Sequence, residues 1–451
     1  MTKALEITSE FDYERSLRNE NSSSNPIIVI PGILGSKLVD KDYSHSVWGD
    51  FGKNFAHPNA EENLRKVALP MQLHKKLHQL KSTTQSDGSM RFVTGSIAGL
   101  QIQINAYAGL MEAMGIGSGQ MGGTLNKLED YIEDSRFEAN AFEFAYDWRR
   151  SIDENAIELG KFIQQVTRFI RMYRGDHNPV KFDIVAHSMG GLIARYFLRY
   201  GEQLLPDDGS LPLSNWAGSA QIERVVIIGT PNGGSLFALE RLVVGLPSNP
   251  VTPGYDPVIL GTMPAVYQLL PRLRHKTFSR SDTNECLANF LSVDFWQEMN
   301  WGLADKSKDN LLTKLLPGLE TPQKRRETAL DHLEKCLKAT RIVQMALDTP
   351  SQTPEHLKMF LFVGDSVATP LLATAKKGDQ KLTIVKKGAG DGTVPRASVL
   401  LDERVGSSEQ SGKVKSPLKW ENVIFLSNNH LGLTKDPICI KNILYILLER
   451  G

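Results

Sequence analysis

The chain has 451 residues, of which 41% are apolar and 23% are charged, and its formal net charge is +1. This near-neutral balance excludes an extended nucleic-acid-binding surface, because phosphate-binding proteins carry a clear excess of basic residues. The length favours one large core with sizeable insertions or a cap.

The cysteine content and the hydropathy of the chain bear on its cellular compartment and on membrane insertion. The 3 cysteines are far apart in the sequence, which fits neither a disulfide framework nor a zinc-ligand spacing. We therefore expect a reducing, cytoplasmic environment and no metal. The N-terminus lacks the apolar run of a signal peptide, and no segment supplies the roughly 20 apolar residues of a membrane span. If the substrate is a lipid, contact with the membrane surface is expected to be transient.

The first elements in chain order predict the fold class. Residues 1–25 are polar and are expected to form a flexible arm. The run Ile27-Ile28-Val29-Ile30 stops at Pro31-Gly32, as in a strand buried on both faces. Further strands are predicted at 140–146, 182–186, 224–228, 359–363 and 423–426, with helices at 152–173 and 192–200. Strands alternating with helices predict an α/β fold with a mostly parallel central sheet.

Two long segments interrupt this alternation. The first spans residues 38–105 and includes a predicted hairpin with arms at 91–96 and 100–105, and the second spans residues 236–354 and is rich in helical patterns. We interpret both as lids or caps, because folds of this kind place insertions at the loops beyond the strand ends. The core is then expected in two parts, residues 26–235 and residues 355–451.

Ser188 is the predicted nucleophile. It lies in Val-Ala-His-Ser-Met-Gly-Gly between a predicted strand and a helix, the context of a nucleophile elbow. The positions two residues before and after the serine must be small, and they are Ala186 and Gly190. His187 is expected to point away from the site and to pack in the core. The alternative is that Ser188 is only the N-cap of the helix.

The acid and the base follow the serine in this fold, in that order. His430 comes after the last predicted strand and is the predicted general base; the alternative is a surface histidine in a polar turn. Position alone leaves two acids open. Asp391 lies between glycines in residues 388–395, and Asp365 directly follows a predicted strand. Asp391 would alternatively belong to an ordinary Asp-Gly hairpin turn.

The oxyanion hole is predicted from position in the fold. Residues 31–36, Pro-Gly-Ile-Leu-Gly-Ser, directly follow the first strand, where a glycine-containing turn can bring a backbone N–H over the serine. We assign the two donors to the backbone N–H groups of Ile33 and Met189, since the second lies at the start of the helix after Ser188.

Taken together, these motifs resemble the lecithin:cholesterol acyltransferase family, which includes phospholipid:diacylglycerol acyltransferases and lysosomal-type phospholipases. The matching segments are residues 31–36, 146–149, 186–191, 229–235, 390–395 and 429–430. The resemblance implies an α/β-hydrolase fold with lid insertions. It also implies a triad of Ser188, Asp391 and His430, and thereby favours Asp391 over Asp365. It further implies that Ile33 supplies an oxyanion amide.

Outside the triad, the sequence matches the family at some positions and departs from it at others. Trp48 lies where family members carry an exposed tryptophan on a mobile lid loop, which implies a contact with the lid or the substrate. We interpret residues 146–149, Tyr-Asp-Trp-Arg, as a charged pair that braces the sheet edge. The first cysteine is Cys286, so the disulfide that animal members have in their first lid cannot form here.

The combined prediction is a serine-dependent lipid acyl hydrolase or acyltransferase. It would transfer an acyl group from a phospholipid or related ester to water or an alcohol through an acyl-enzyme, without a metal or organic cofactor. A soluble carboxylesterase or amidase with the same triad is one alternative, and a non-catalytic binding protein on a hydrolase scaffold is another. The sequence leaves the acyl acceptor, the head group and the oligomeric state open.

Overall fold

The computed structural model describes residues 25–449, except for residues 43–44, 52–54, 59, 98–99, 106, 115–140, 176, 250–251, 284–288 and 408–411. The arm expected at residues 1–25 therefore lies, apart from its last residue, outside the described residues. Cys286 lies outside them too.

The described strands are named in chain order. They are β1 (Ile27–Ile30), β2 (Ser36–Asp40), β3 (Ser46–Trp48), β4 (Thr84–Ser89), β5 (Phe92–Ile97), β6 (Leu100–Asn105), β7 (Ala141–Glu143), β8 (Phe182–His187), β9 (Ile222–Ile228), β10 (Phe278–Arg280), β11 (Lys358–Gly364), β12 (Val367–Ala375), β13 (Thr383–Gly390) and β14 (Asn422–Leu426).

The described α-helices are named in the same way. They are α1 (Glu61–Val67), α2 (Ala108–Ala113), α3 (Ile152–Arg174), α4 (Met189–Tyr200), α5 (Leu236–Val244), α6 (Pro257–Leu260), α7 (Pro264–Gln268), α8 (Val293–Met299), α9 (Asp309–Leu315), α10 (Pro322–Asp348), α11 (Arg396–Val399) and α12 (Pro437–Leu444). A π-helical turn, Tyr445–Glu449, continues α12.

A parallel sheet forms the centre of the molecule, with strand order β14-β11-β9-β8-β1-β7. The inner strands β1 and β8 are buried on both faces, whereas the edge strand β14 is partly exposed. In β1, Ile28 and Ile30 belong to one hydrophobic cluster, whereas Ile27 and Val29 belong to the cluster on the opposite face. This alternation explains why the strand is a continuous apolar run. The predicted α/β fold with a mostly parallel central sheet is confirmed.

Helices cover both faces of this sheet. Apolar side chains of α3, α4 and α10 belong to the larger cluster, and those of α2 and α12 belong to the smaller one. Helix α3 carries Asp153 and Glu154 in its first turn and ends at Gly175, whose φ is 66°. Acidic residues favour a helix N-terminus, and a left-handed glycine is a common helix end.

The segments between the core strands form smaller units. Strands β2, β3 and β4 make an antiparallel sheet, and β5 pairs with β6 as the hairpin predicted there. Helices α5 to α10 fall between β9 and β11, and β10, β12 and β13 form a separate sheet. The domain limits drawn from the sequence stay predictions. Within the described part of the chain, no helix is both long and apolar enough to cross a bilayer.

Candidate active site

Ser188 lies in a strained turn between β8 and α4. Its backbone has φ 52° and ψ −125°, a conformation that costs a non-glycine residue of order 1–3 kcal/mol. The N–H of Ser188 donates to the carbonyl of Ile228 across the sheet at 2.8 Å. A Cβ on Gly190 would lie 2.5 Å from the carbonyl oxygen of Pro31. The elbow therefore needs glycine at position 190, and it presents the serine hydroxyl above the sheet.

Ser188, His430 and Asp391 are joined by hydrogen bonds. The Nε2 atom of His430 lies 2.8 Å from the Oγ of Ser188, and its Nδ1 lies 2.7 Å from Oδ2 of Asp391. The other carboxylate oxygen, Oδ1, accepts from the N–H groups of Thr393 and Val394 at 2.9 and 2.6 Å. Asp391 is buried, so its carboxylate is fixed by its own turn and directed at the imidazole.

The two candidate acids occupy different places. The side chain of Asp365 is 29% exposed and lies 3.8 Å from the guanidinium of Arg396. Asp391 comes later in the chain, but the β12–β13 hairpin returns it to the end of β11, where a Cβ on Gly364 would lie 2.7 Å from the Cβ of Asp391. The hairpin thus brings Asp391, and not Asp365, against His430.

The turn at residues 31–35, called here the oxyanion turn, lies against Ser188. Gly35 N–H donates to the carbonyl of Gly32 at 3.0 Å, and Leu34 has φ 64°. A Cβ on Gly32 would lie 2.8 Å from the Cβ of Ser188. Ile33 follows in the lining of the cavity at the serine, and Met189 is the first residue of α4, where backbone N–H groups lack intrahelical partners.

Aromatic side chains hold the oxyanion turn. The indole N–H of Trp48 donates to the carbonyl of Leu34 at 2.9 Å. The hydroxyl of Tyr146 donates to the carbonyl of Pro31 at 2.8 Å, and the hydroxyl of Tyr107 accepts from the N–H of Gly32 at 2.9 Å. Sequence reasoning missed these supports, because a tyrosine or tryptophan in an insertion carries no local signal of its hydrogen-bond partner.

The expected exposed position of Trp48 is corrected by this arrangement. Trp48 is only 4% exposed, and its ring meets Trp148 edge-on at a centroid distance of 5.4 Å. Trp48 is absent from the lining of the cavity, whereas Trp148 is part of it. The reason is that strand β3 pairs with β2, which directs the indole N–H inward to the Leu34 carbonyl.

His187 is also placed differently from expectation. It is buried as predicted, but its ring lies beside that of His430, with centroids 4.8 Å apart. Its Nδ1 lies 2.7 Å from the Tyr107 hydroxyl, and its Nε2 lies 3.0 Å from the carbonyl of His430. Burial, together with the nearby His430, lowers the pKa of His187 well below its usual value, so the ring is neutral.

The segment 146–149 contains the charged pair predicted for it. The guanidinium of Arg149 is fully buried and donates to both carboxylate oxygens of Asp147 at 2.8 Å. It also donates to the carbonyls of Lys66 and Val67. This ion pair ties the loop after β7 to helix α1.

A cavity of about 610 Å³ lies over Ser188, within the range usual for small-molecule sites. Most of its lining is apolar. Side chains from the segment after β9 contribute Phe237, Ala238, Arg241, Leu246, Leu260, Val266 and Leu269. Within the described ranges, no cluster of three or more His, Cys, Asp or Glu residues could hold a metal ion. Because most of its lining is apolar, the cavity is suited to an apolar group bound next to the serine.

Comparisons with known proteins bear on this site. The family model of lecithin:cholesterol acyltransferase matches residues 100–313, a range that includes Ser188 but neither Asp391 nor His430. The chain matches no curated protein sequence.

One solved structure supports the fold. The structure described as the Tle4–Tli4 complex has a TM-score of 0.55 and 16% identity, over 94% of this chain and 98% of that chain. EstA from Clostridium botulinum has a TM-score of 0.34 and 13% identity, over 95% and 89%. Lipase 1 from Pelosinus fermentans has a TM-score of 0.32 and 12% identity, over 95% and 98%. The predicted resemblance is confirmed over residues 100–313, which match the family model of lecithin:cholesterol acyltransferase, in a chain that folds around a parallel central sheet.

Proposed function

We propose that this protein is a serine-dependent lipid acyl hydrolase or acyltransferase. The observation that carries the proposal is the unbroken hydrogen-bonded series from the Ser188 hydroxyl through His430 to the buried Asp391. Such a series can activate an otherwise weak serine nucleophile. The match to an acyltransferase family supports the same class of chemistry.

In the proposed reaction, Ser188 Oγ attacks the carbonyl carbon of an ester while His430 Nε2 takes the hydroxyl proton. Asp391 stabilises the resulting imidazolium through its hydrogen bond to Nδ1. The N–H groups of Ile33 and Met189 donate to the oxyanion of the tetrahedral intermediate. The intermediate then expels the alcohol, which receives the proton from His430, and leaves an acyl-enzyme. Water or a second alcohol attacks this ester by the same steps in reverse.

The apolar lining of the cavity supports a lipid acyl group as the part bound beside Ser188. Arg241 also lines the cavity, with its guanidinium carbon 4.7 Å from the centroid of the Phe237 ring and one guanidinium N–H donating to Glu240 at 2.6 Å. Phe237 is 41% exposed and Val244, on the same helix, is 46% exposed. Exposed apolar side chains next to an apolar cavity favour transient contact with a membrane surface.

The test is product analysis on vesicles of phosphatidylcholine and phosphatidylglycerol, with and without a sterol or diacylglycerol. Mass spectrometry would follow free fatty acid, lysolipid and new acyl ester, with Ser188→Ala as the blank. Fatty acid and lysolipid alone are expected of a phospholipase. A new ester of the added alcohol is expected of an acyltransferase.

A matched substrate separates the lipid enzyme from a soluble esterase. Short-chain p-nitrophenyl esters would report the triad without a lipid surface. Turnover of these esters without any Ser188-dependent lipid product would replace the lipid proposal by a soluble esterase. Failure of a fluorophosphonate to label Ser188 in the folded protein would remove the acyl-enzyme mechanism.

A further inference from the structure

Two buried side chains outside the triad link both sides of Ser188. The N–H of Gly32 lies 2.9 Å from the Tyr107 hydroxyl, which lies 2.7 Å from Nδ1 of His187. The Nε2 of His187 lies 3.0 Å from the backbone carbonyl of His430. Tyr107 is 4% exposed and His187 is 1% exposed. One chain of hydrogen bonds therefore runs from the oxyanion turn to the backbone of the base.

Chemistry fixes the direction of this chain. The His430 carbonyl can only accept, so Nε2 of His187 carries the proton and donates. In a neutral imidazole the other nitrogen then accepts, so the Tyr107 hydroxyl donates to Nδ1 of His187. The same hydroxyl oxygen accepts from Gly32 N–H. Each group uses its donor and acceptor once, which is the arrangement expected of a satisfied buried network.

We propose that Tyr107 and His187 are positioning residues that hold the oxyanion turn and the His430 loop in register on either side of Ser188. The proposal rests on the function proposed above, since it assigns these residues to the same acyl transfer. Neither side chain takes part in bond formation. They act through the backbone of Gly32 and the backbone of His430.

The Gly32 end of this chain of hydrogen bonds determines which backbone amide is left to donate to the oxyanion. Because its N–H is used by Tyr107, the next amide of the turn, that of Ile33, remains as the candidate donor to the oxyanion. Gly32 also packs against Ser188 so closely that an added Cβ would lie 2.8 Å from the serine Cβ. A small shift of this turn would therefore move the Ile33 amide relative to the nucleophile.

The His430 end of this chain of hydrogen bonds holds the backbone of the proposed base in place. The backbone of His430 is held on both sides, because its N–H donates to the carbonyl of Asp391 at 2.8 Å and its carbonyl accepts from His187. The imidazole can then keep its contacts to Ser188 and Asp391 together. Loss of the hydrogen bond from His187 would remove one of these two backbone supports.

The test uses Tyr107→Phe, which keeps the ring and removes the hydroxyl. We expect kcat for p-nitrophenyl butyrate to fall by about tenfold to a hundredfold with KM changed less than about threefold, because the lost contact supports oxyanion stabilisation and not substrate binding. The rate of fluorophosphonate labelling of Ser188 should fall by a similar factor. Tyr200→Phe is the matched control, since its buried hydroxyl donates to the carbonyl of Ala346 at 2.7 Å, away from the site. Its kcat should be unchanged.

A second variant tests the link between the two residues. In His187→Asn, the amide oxygen can replace Nδ1 as the acceptor for Tyr107, but the side chain is too short to reach the His430 carbonyl. We expect a lower kcat here as well. In the double variant the loss should be smaller than the product of the two single losses, because both residues act through one chain of hydrogen bonds.

Two results would overturn the inference. One is a Tyr107→Phe protein whose kcat matches that of Tyr200→Phe, since a packing role alone predicts equal behaviour. The other is a double variant whose losses multiply, because that would make the two residues independent. Both results require an active parent protein. A parent without Ser188-dependent turnover would instead contradict the proposed function.

Discussion

Two turns flank Ser188, and they are held in place in different ways. The turn that begins at Asp391 is stabilised locally, since Oδ1 of its own aspartate accepts the N–H groups of the second and third residues that follow. The oxyanion turn is stabilised from a distance. Its partners Trp48, Tyr107 and Tyr146 are 14, 75 and 115 residues away from the atoms they contact.

This difference indicates that the first insertion helps to hold the site in place. Trp48 comes from the segment expected to act as a lid, and Tyr107 follows that segment directly. Both contact the oxyanion turn. The insertion is therefore part of the support of the site, and changes in it should affect catalysis as well as access.

The largest effect is expected at the locally held turn. Asp391→Asn keeps the shape of the side chain but removes the charge that, in the proposed reaction, stabilises the imidazolium and fixes its tautomer. We expect kcat to fall by about 10³–10⁴-fold with the fold retained. Steady-state hydrolysis of a short-chain p-nitrophenyl ester would measure it.

Asp365→Asn is the matched control for the acid. Asp365 also follows a core strand, but it lies beside Arg396, so its kcat should stay within about threefold of the parent value. A larger loss at position 365 than at position 391 would reverse the assignment of the acid.

The next effect is expected at the oxyanion turn itself. In Gly32→Ala the new methyl group would lie 2.8 Å from the Cβ of Ser188 and 3.1 Å from the Tyr107 hydroxyl, so the turn must move. We expect kcat to fall by about a hundredfold, as when one oxyanion donor is lost. Gly109→Ala in helix α2 is the control, because no atom lies within 4 Å of its added Cβ and alanine favours a helix. Equal kcat values for both variants would show that the position of the turn does not limit the reaction.

The two turns also explain how far the sequence could predict the site. The glycines around Asp391, and the elbow around Ser188, are local signals whose geometry follows from the residues beside them. The central strands were predictable for the same reason, because a strand such as Ile27–Ile30 is buried on both faces and reads as an apolar run. The aromatic supports of the oxyanion turn come from segments that are distant in the sequence and meet only in the folded protein. No local sequence pattern therefore predicts them.

A smaller effect is expected where one of the remote supports is removed. Trp48→Phe keeps an aromatic ring in the core but loses the donor to the Leu34 carbonyl. We expect kcat to fall about tenfold, since Tyr107 and Tyr146 still hold the turn. Trp216→Phe is the control, because its indole N–H donates to Ser351 Oγ at 2.9 Å, outside the site. Comparing kcat and Tm of the two variants would separate positioning from general stability.

The smallest effect on catalysis is expected at Glu143, a second buried carboxylate. The guanidinium of Arg91 lies 3.9 Å from its Oε2, beyond hydrogen-bond distance. Burial raises the pKa of Glu143 to about 7, and the charges of Arg91 and Lys37 together with hydrogen bonds from Ser89 offset only part of this. Since the unfolded value is about 4.5, the folded state binds the proton more tightly than the unfolded state.

The sign of the pH dependence follows from this difference. The contribution of Glu143 to stability is present below about pH 4.5 and is lost as the pH rises through about 7. Glu143→Gln should therefore match the parent protein near pH 4.5 and exceed its free energy of unfolding by about 1–3 kcal/mol at pH 8, with kcat unchanged. Urea unfolding at both pH values would measure this, with the exposed Glu158→Gln as the control. A variant less stable than the parent at pH 8 would mean that the ionised Glu143 makes a stabilising contact.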